Sequence, residues 1–294
     1  MVTSSGQQTR VWFITGCSSG LGRALAETVL ERGETVVLTA RNPQRVEHLA
    51  ATYPERTLAV QLDVTKPEEV REAVKKAIAK FGRIDVLVNN AGCATVGAIE
   101  EVSDDEVRRQ FETNFFSVLE ILRAVLPHMR RQRSGNILNI TSMDCFRANY
   151  GGGFYCSSKL ALEGISGVLA YEVAPLGIKV TMVEPGAFRT DFIKRSIVIN
   201  DTQIPDYEPL LGNQRQALEE HDRNKPGDPK KAALAMIQAV DSDNPPIRLA
   251  LGADAVDAIE QALEFIKAGL DAWRDVSVST DFDEVLADKI QVAI

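Results

Sequence analysis

A phenol and an ammonium four residues apart are the first groups in this chain that could do chemistry. Tyr155-Cys156-Ser157-Ser158-Lys159 puts Tyr155 and Lys159 on one face of any helix that carries them. A neighbouring cation favours phenolate, so the spacing predicts a Tyr155 pKa below the ordinary tyrosine value. Such a group can protonate a developing alkoxide or take the proton from an alcohol. The pair alone leaves a plainer alternative open, a core tyrosine beside a lysine whose stem snorkels to the surface. A second chemical feature lies near the start, where Val11-Trp12-Phe13-Ile14-Thr15 runs into Gly16-Cys17-Ser18-Ser19-Gly20-Leu21-Gly22. Backbone N–H groups at the start of a following helix make a site for phosphate, and glycines keep side chains out of its path. Glycine-rich turns also occur for purely conformational reasons.

For these groups to act together, the fold must bring distant segments to one place. From Val11 to about Ile140, short β-rich apolar runs alternate with stretches of helical period, the pattern of a parallel sheet with crossover helices. Strands are expected over 11–15, 35–40, 57–62, 85–89 and 135–141, then over 178–183 and 247–251. Helices are expected over 21–32, 44–51, 67–81, 104–131 and 155–174, then near 228–241 and 253–274, with Pro43 and Pro67 close to two of the starts. The fold class is α/β, a Rossmann-like doubly wound parallel sheet of about seven strands with helices on both faces. One catalytic domain is expected over 11–251, after a polar leader over 1–10 and before a helical extension over 252–294. The stretch 187–227 is proline-rich yet contains Phe192, Ile193, Ile197, Tyr207, Leu210 and Leu211, and reads as a substrate-covering insertion. The amphipathic helix near 253–274 could cover a sheet edge or a partner.

The glycine spacing T-G-x-x-x-G-x-G, with Asn89-Asn90-Ala91-Gly92 after the fourth strand and Tyr155-x-x-x-Lys159, resembles the short-chain dehydrogenase/reductase family from about Val11 to Leu251. The resemblance implies a nicotinamide cofactor held by Thr15, Gly16, Ser18, Ser19, Gly20, Leu21 and Gly22, and by Asn90, Ala91 and Gly92. It also implies that Asp63 meets the adenine amino group and Val64 its ring. Pro185, Gly186 and Thr190 then lie against the nicotinamide. For catalysis it implies Tyr155 as general acid and base, and Lys159 beside it, which also grips the ribose hydroxyls. Ser142, thirteen positions before Tyr155, corresponds to a serine that hydrogen-bonds the substrate oxygen, and Asn114 to an asparagine that holds a relay water. The cofactor expected is NADP(H) rather than NAD(H). The second strand ends Thr39-Ala40-Arg41 without the acidic residue that would grip a ribose 2′-hydroxyl, and Arg41 can pair with a 2′-phosphate instead. Arg23 could share that phosphate.

The reaction expected is interconversion of a ketone and a secondary alcohol, chiefly carbonyl reduction, with a bulky, largely apolar small-molecule substrate. Dehydration or epimerisation on the same fold and a non-catalytic cofactor-sensing protein are the alternatives. Met143-Asp144-Cys145-Phe146 departs from the small residues that usually follow the serine; Asp144 reads as a loop cap, with a cation-selecting carboxylate as alternative. Gly151-Gly152-Gly153 reads as a flexible turn. A formal charge of −8 without a basic stripe argues against nucleic acid or an anionic membrane as partner. Arg130, Arg131 and Arg133 read as a solvated helix end. Four cysteines without C-x-x-C and three histidines without ligand spacing give no metal site. With no apolar leader or membrane span, the expected location is the cytoplasm. Helices 104–131 and 155–174 resemble the family's four-helix contact, so a homodimer or homotetramer is expected.

Overall fold

The computed structural model describes residues 9–147, 149–200, 202, 204–212 and 225–282. Its first strand, β1 (Val11–Ile14), shows how the layers form. Side chains alternate across a strand, so Trp12 and Ile14 enter one core with Leu25, Val29, Met236 and Ile237, while Val11 and Phe13 enter another with Val70, Val74, Ile121, Val125 and Leu162. A strand buried on both faces must lie inside a sheet covered by helices on both sides.

That sheet contains β1, β2 (Thr35–Ala40), β3 (Thr57–Gln61), β4 (Val86–Asn89), β6 (Gly135–Ile140), β7 (Ile178–Pro185) and β9 (Arg248–Leu251). All seven are parallel, in the order β3-β2-β1-β4-β6-β7-β9. The chain thus forms a single Rossmann-like domain, as the strand pattern predicts. Helices α1 (Gly20–Glu31) and α8 (Pro229–Asp241) cover one face. Helices α3 (Pro67–Phe81), α5 (Ser117–Gln132) and α6 (Gly153–Val173) cover the other. Their ends follow local chemistry: Pro67 opens α3 and left-handed Gly82 closes it, and the Asp228 carboxylate accepts from the N–H groups of Lys230 and Lys231 at the start of α8. Arg133, at the end of α5, is left-handed and donates to the Pro175 carbonyl (2.8 Å).

Strand order reverses between β1 and β4, which opens a crevice at their C-terminal ends. The glycine-rich turn leaves β1 there and Asn90-Ala91-Gly92 leaves β4.

Three features differ from the sequence expectation. The helix expected over 104–131 is α4 (Asp104–Phe111) and α5 joined by a π-helical turn, Glu112–Phe116. One extra residue in a turn leaves no trace in a 3.6-residue pattern, and its cause is tertiary: the Asn114 amide is tied to the loop after β4. Second, β5 (Ala94–Val96) pairs in parallel with β8 (Ile197–Ile199) in a separate two-stranded sheet. The insertion 187–227 is therefore built onto the body in its described part, with α7 (Phe192–Ser196) before β8 and a Phe188–Gly227 bridge; residues 201, 203 and 213–224 of it lie outside the described residues. Third, α6 begins at Gly153, so the third glycine of the expected turn is helical. Left-handed Gly151 (φ +72°) is a close approach, because a Cβ there would stand 3.0 Å from Leu211 and 3.3 Å from Val96. Helix α2 (Glu47–Thr52) lies between β2 and β3, and beyond β9 come α9 (Ala253–Ala272) and α10 (Arg274–Val278). No helix among the described residues is long and apolar enough to cross a membrane.

Candidate active site

The crevice is laced together by Thr15. Its hydroxyl accepts from the N–H groups of Asn90 (2.9 Å) and Ala91 (3.0 Å), and the Asn90 amide donates back to the Thr15 carbonyl (2.8 Å). Glycine is required at position 22 for this packing, since a Cβ there would stand 2.3 Å from Asn90 Nδ2 and 2.7 Å from the Gly16 carbonyl oxygen. Gly16 and Gly20 are both left-handed, at φ +72° and +62°. Ser19 precedes α1 without its side chain capping the helix, so the first N–H groups of α1 remain free of a side-chain acceptor. That is the arrangement a pyrophosphate needs.

A cleft of about 340 Å³ opens beside it, lined by Ser18, Ser19, Gly20, Arg23, Arg189 and Thr190 among others. Arg189 and Arg195, on either side of Thr190, were not singled out by the sequence; the only signal was their position around the Pro-Gly-x-x-x-Thr segment. Arg189 donates to the Lys225 carbonyl (2.6 Å), and Arg195 pairs with Asp191 (3.2 Å). A larger hollow of about 410 Å³ lies on the outer surface between α3 and α5 and holds none of these residues.

At the adenosine side Ala40 is buried at the end of β2 and Arg41 is exposed. Arg23 is held by Glu27 (2.7 Å) and its guanidinium also reaches His48 (2.6 Å) and the Arg45 carbonyl (3.4 Å). One Asp63 oxygen accepts from the Thr65 N–H (3.1 Å) and hydroxyl (2.8 Å), while Val64 is buried.

The chemical groups converge on Gly92, where a Cβ would stand 3.3 Å from Asn114 Oδ1 and 3.4 Å from Lys159 Nζ. Asn114 accepts from the Cys93 N–H (2.9 Å) and donates to the Cys93 carbonyl (2.8 Å) and Ser158 Oγ (2.9 Å). Lys159 is buried, donates to the Ile140 carbonyl (2.8 Å), and places its ammonium 5.9 Å from the centre of the Tyr155 ring. The surface-snorkelling alternative is thereby removed. Ser142, buried at the end of β6, accepts from the Asp144 N–H (3.1 Å).

Burial reverses the expected titration of the pair. The Tyr155 phenol is pushed above its ordinary value, first by desolvation and then by the Asp144 charge, with the Ser142 hydrogen bond opposing. Desolvation also lowers Lys159 to about 8, and burial of the phenol outweighs the neighbouring ammonium, so the pair does not favour phenolate as the spacing suggested. Asp144, whose carboxylate accepts from Asn149 (2.5 Å) and Arg147 (3.3 Å), is itself raised by desolvation. It caps side chains of its loop rather than backbone N–H groups.

On the far side of the crevice, Gly186 lies against Asp254, whose carboxylate accepts from the Ala187 N–H (2.7 Å). Thr190 comes close to Gly20, and the Phe192 ring lies 6.4 Å from that of Tyr155. Pro185 ends β7. Loop, phenol and post-β7 segment thus face one space.

The family model described as short chain dehydrogenase matches residues 10–197. The chain is 39% identical over 273 residues to "Oxidoreductase BOA17" of Botryotinia fuckeliana, which covers 92% of this chain and 99% of that one. It is 40% identical over 246 residues to "3-ketodihydrosphingosine reductase" of Bacteroides thetaiotaomicron, covering 83% and 88%. Its fold matches the crystal structure of a short-chain dehydrogenase from Streptomyces avermitilis with a TM-score of 0.88 and 44% identity, over 94% of this chain and all of that one. With sequence likeness across most of its length and fold likeness across nearly all of it, the chain belongs to the short-chain dehydrogenase family: it is an oxidoreductase built to use a nicotinamide cofactor.

Proposed function

We propose that the protein reduces the ketone of a bulky, largely apolar molecule to a secondary alcohol, with NADP(H) as cofactor and Tyr155 as the proton donor. The observation that carries this reading is the convergence of Lys159 and Asn114 at Gly92, with the Tyr155 ring beside the Lys159 ammonium, next to an uncapped helix start. The bound cofactor would supply hydride. Thr15, Gly16, Ser18, Ser19, Gly20, Leu21 and Gly22 hold its phosphates, Asp63 and Val64 its adenine, and Asn90, Ala91 and Gly92 the span between. Pro185, Gly186 and Thr190 border the nicotinamide side, and Lys159 binds the ribose hydroxyls.

A phenol with a raised pKa is fully protonated at neutral pH, the state needed to give a proton to a carbonyl oxygen that is gaining negative charge. Ser142 hydrogen-bonds the same oxygen and orients it. Asn114 holds the π turn against the Cys93 loop, beside Lys159. Apolar matter borders the site: exposed Ile99 lies near Gly153, where the helix carrying Tyr155 begins, and the Phe192 ring lies 6.4 Å from that of Tyr155. The relative named 3-ketodihydrosphingosine reductase supports a ketone as the reacting group.

Two features support NADP(H). Ala40 offers no carboxylate to a ribose 2′-hydroxyl, and exposed Arg41 and half-buried Arg23 border the adenosine end. Charge-assisted hydrogen bonds of about 1.5–3 kcal/mol correspond to a roughly ten- to hundredfold preference in kcat/KM. The test measures both cofactors with wild type and Ala40→Asp/Arg41→Ala: the preference is expected to vanish or invert in the variant. Equal efficiencies in the wild type, or no shift in the variant, would remove Arg41 from this role.

The assembly proposed is a homodimer or homotetramer through the outer face of α5 and α6, where Phe116 of the π turn before α5 and Leu160, Val168 and Tyr171 of α6 stand exposed.

A further inference from the structure

Helix α9 leaves the body of the protein. Its first turns bury Ala255 and Ala258 near Met143 and Ala250, but every residue from Leu263 to Ala272 is exposed. Apolar side chains nevertheless recur along it. Val256 is 42% exposed, Leu263 57%, Ile266 60%, Leu270 55% and Trp273 65%, with partly buried Ile259 completing the row.

The steps between these six residues alternate three and four, a repeat of 3.5. A stripe lying on a globular surface follows 3.6, whereas 3.5 is the seam of one helix against another. From Val256 to Trp273 the seam runs about 27 Å, at 1.5 Å per residue.

We propose that α9 pairs antiparallel with α9 of a second copy of this chain, about a two-fold axis between Glu264 and Phe265. The pairing sets Val256 against the partner's Trp273, Ile259 against the partner's Leu270, and Leu263 against the partner's Ile266, then repeats in reverse. Small meets large at the ends and similar meets similar in the middle.

Charge placement selects this orientation. One edge of the seam carries Glu260 and Lys267, and the other carries Ala255, Ala262 and Gly269. Antiparallel helices bring like-lettered edges together, so Glu260 meets the partner's Lys267 and Lys267 the partner's Glu260. Parallel helices would set those charges against alanine and glycine. Lys267 leans on Asp271 of its own helix (2.5 Å), an exposed pair that an intermolecular one can replace at little loss. An anionic membrane is a poor occupant, because residues 253–275 hold six carboxylates and two cations.

This contact is separate from the α5–α6 face, and its test does not depend on it. The mass of the full-length protein is measured by sedimentation equilibrium for wild type and for Leu263→Glu/Leu270→Glu. Neither residue touches the catalytic groups, so turnover is the check on folding. The expected result is a particle of half the wild-type mass with turnover retained, whether the wild type is a tetramer or a dimer. Phe116→Glu/Tyr171→Glu, measured separately, reports on the other face. Glu260→Lys is expected to weaken association about tenfold at low salt, and Glu260→Lys/Lys267→Glu to restore it. An unchanged mass in the leucine variant overturns the proposal, and is also the outcome if residues 283–294 of the same chain cover the seam. Failure of the charge exchange to restore association overturns the antiparallel pairing.

Discussion

The residue at which electrostatics and burial conflict most is Lys159. Lowering its pKa from the ordinary 10.5 to about 8 withholds about 3 kcal/mol of stability at neutral pH. The unfolded chain keeps this proton up to about pH 10.5 and the folded chain only to about pH 8, so the penalty is full below 8 and fades as pH rises through that window. Lys159→Met is therefore expected to be more stable than wild type by about 2 kcal/mol at pH 7, after about 1 kcal/mol is lost with the bond to the Ile140 carbonyl. The gain should shrink between pH 8 and 10. Urea unfolding of both proteins at several pH values checks this, and a variant less stable than wild type at pH 7 contradicts it. Cofactor affinity should fall in the same variant. Tyr155 moves in the opposite direction: with its pKa raised, reduction is expected to hold steady across neutral pH and to decline only on the alkaline side, while alcohol oxidation climbs with pH. Rates in both directions between pH 6 and 10 would show it.

At the scale of elements, the glycine loop and the π turn are two solutions to close approach. Gly22→Ala would press a methyl group onto the Asn90 side-chain amide, itself tied to the Thr15 carbonyl, and onto the Gly16 carbonyl of the backbone. A destabilisation of about 1–3 kcal/mol is expected, with a weaker cofactor complex by calorimetry. Unaltered stability and affinity would mean that the loop gives way. The loop was legible in the sequence because glycine spacing and strand periodicity are local signals, and both survive into the fold. The turn at Asn114 was not, because its cause is a hydrogen-bonded tie to Cys93, far off in sequence. The same holds for β5 and β8, three residues each and paired across about a hundred positions of chain. Nothing in the sequence marks Arg189, in a loop, or Arg195, in short α7, until the fold sets them beside Ser18 and Gly20. The direction of the Tyr155 pKa was misread for a related reason: four-residue spacing gives a neighbour, whereas desolvation comes from everything else packed around it.

On the scale of the whole molecule, a parallel sheet with its strand order reversing between β1 and β4 gathers the glycine-rich turn, Asn90-Ala91-Gly92 and the Tyr155–Lys159 pair at the C-terminal ends of its central strands. Both faces of that sheet are covered by helices. The most direct test of the account follows oxidation of NADPH against a panel of apolar ketones, with wild type and Tyr155→Phe side by side, and titrates NADPH into each by calorimetry. The phenylalanine keeps the ring that faces Phe192 and loses only the acidic hydroxyl. Turnover is predicted to fall by at least about two decades while NADPH affinity stays close to wild type. Near-normal turnover in the variant, with the cofactor still bound, would contradict the assignment of Tyr155 as the proton donor.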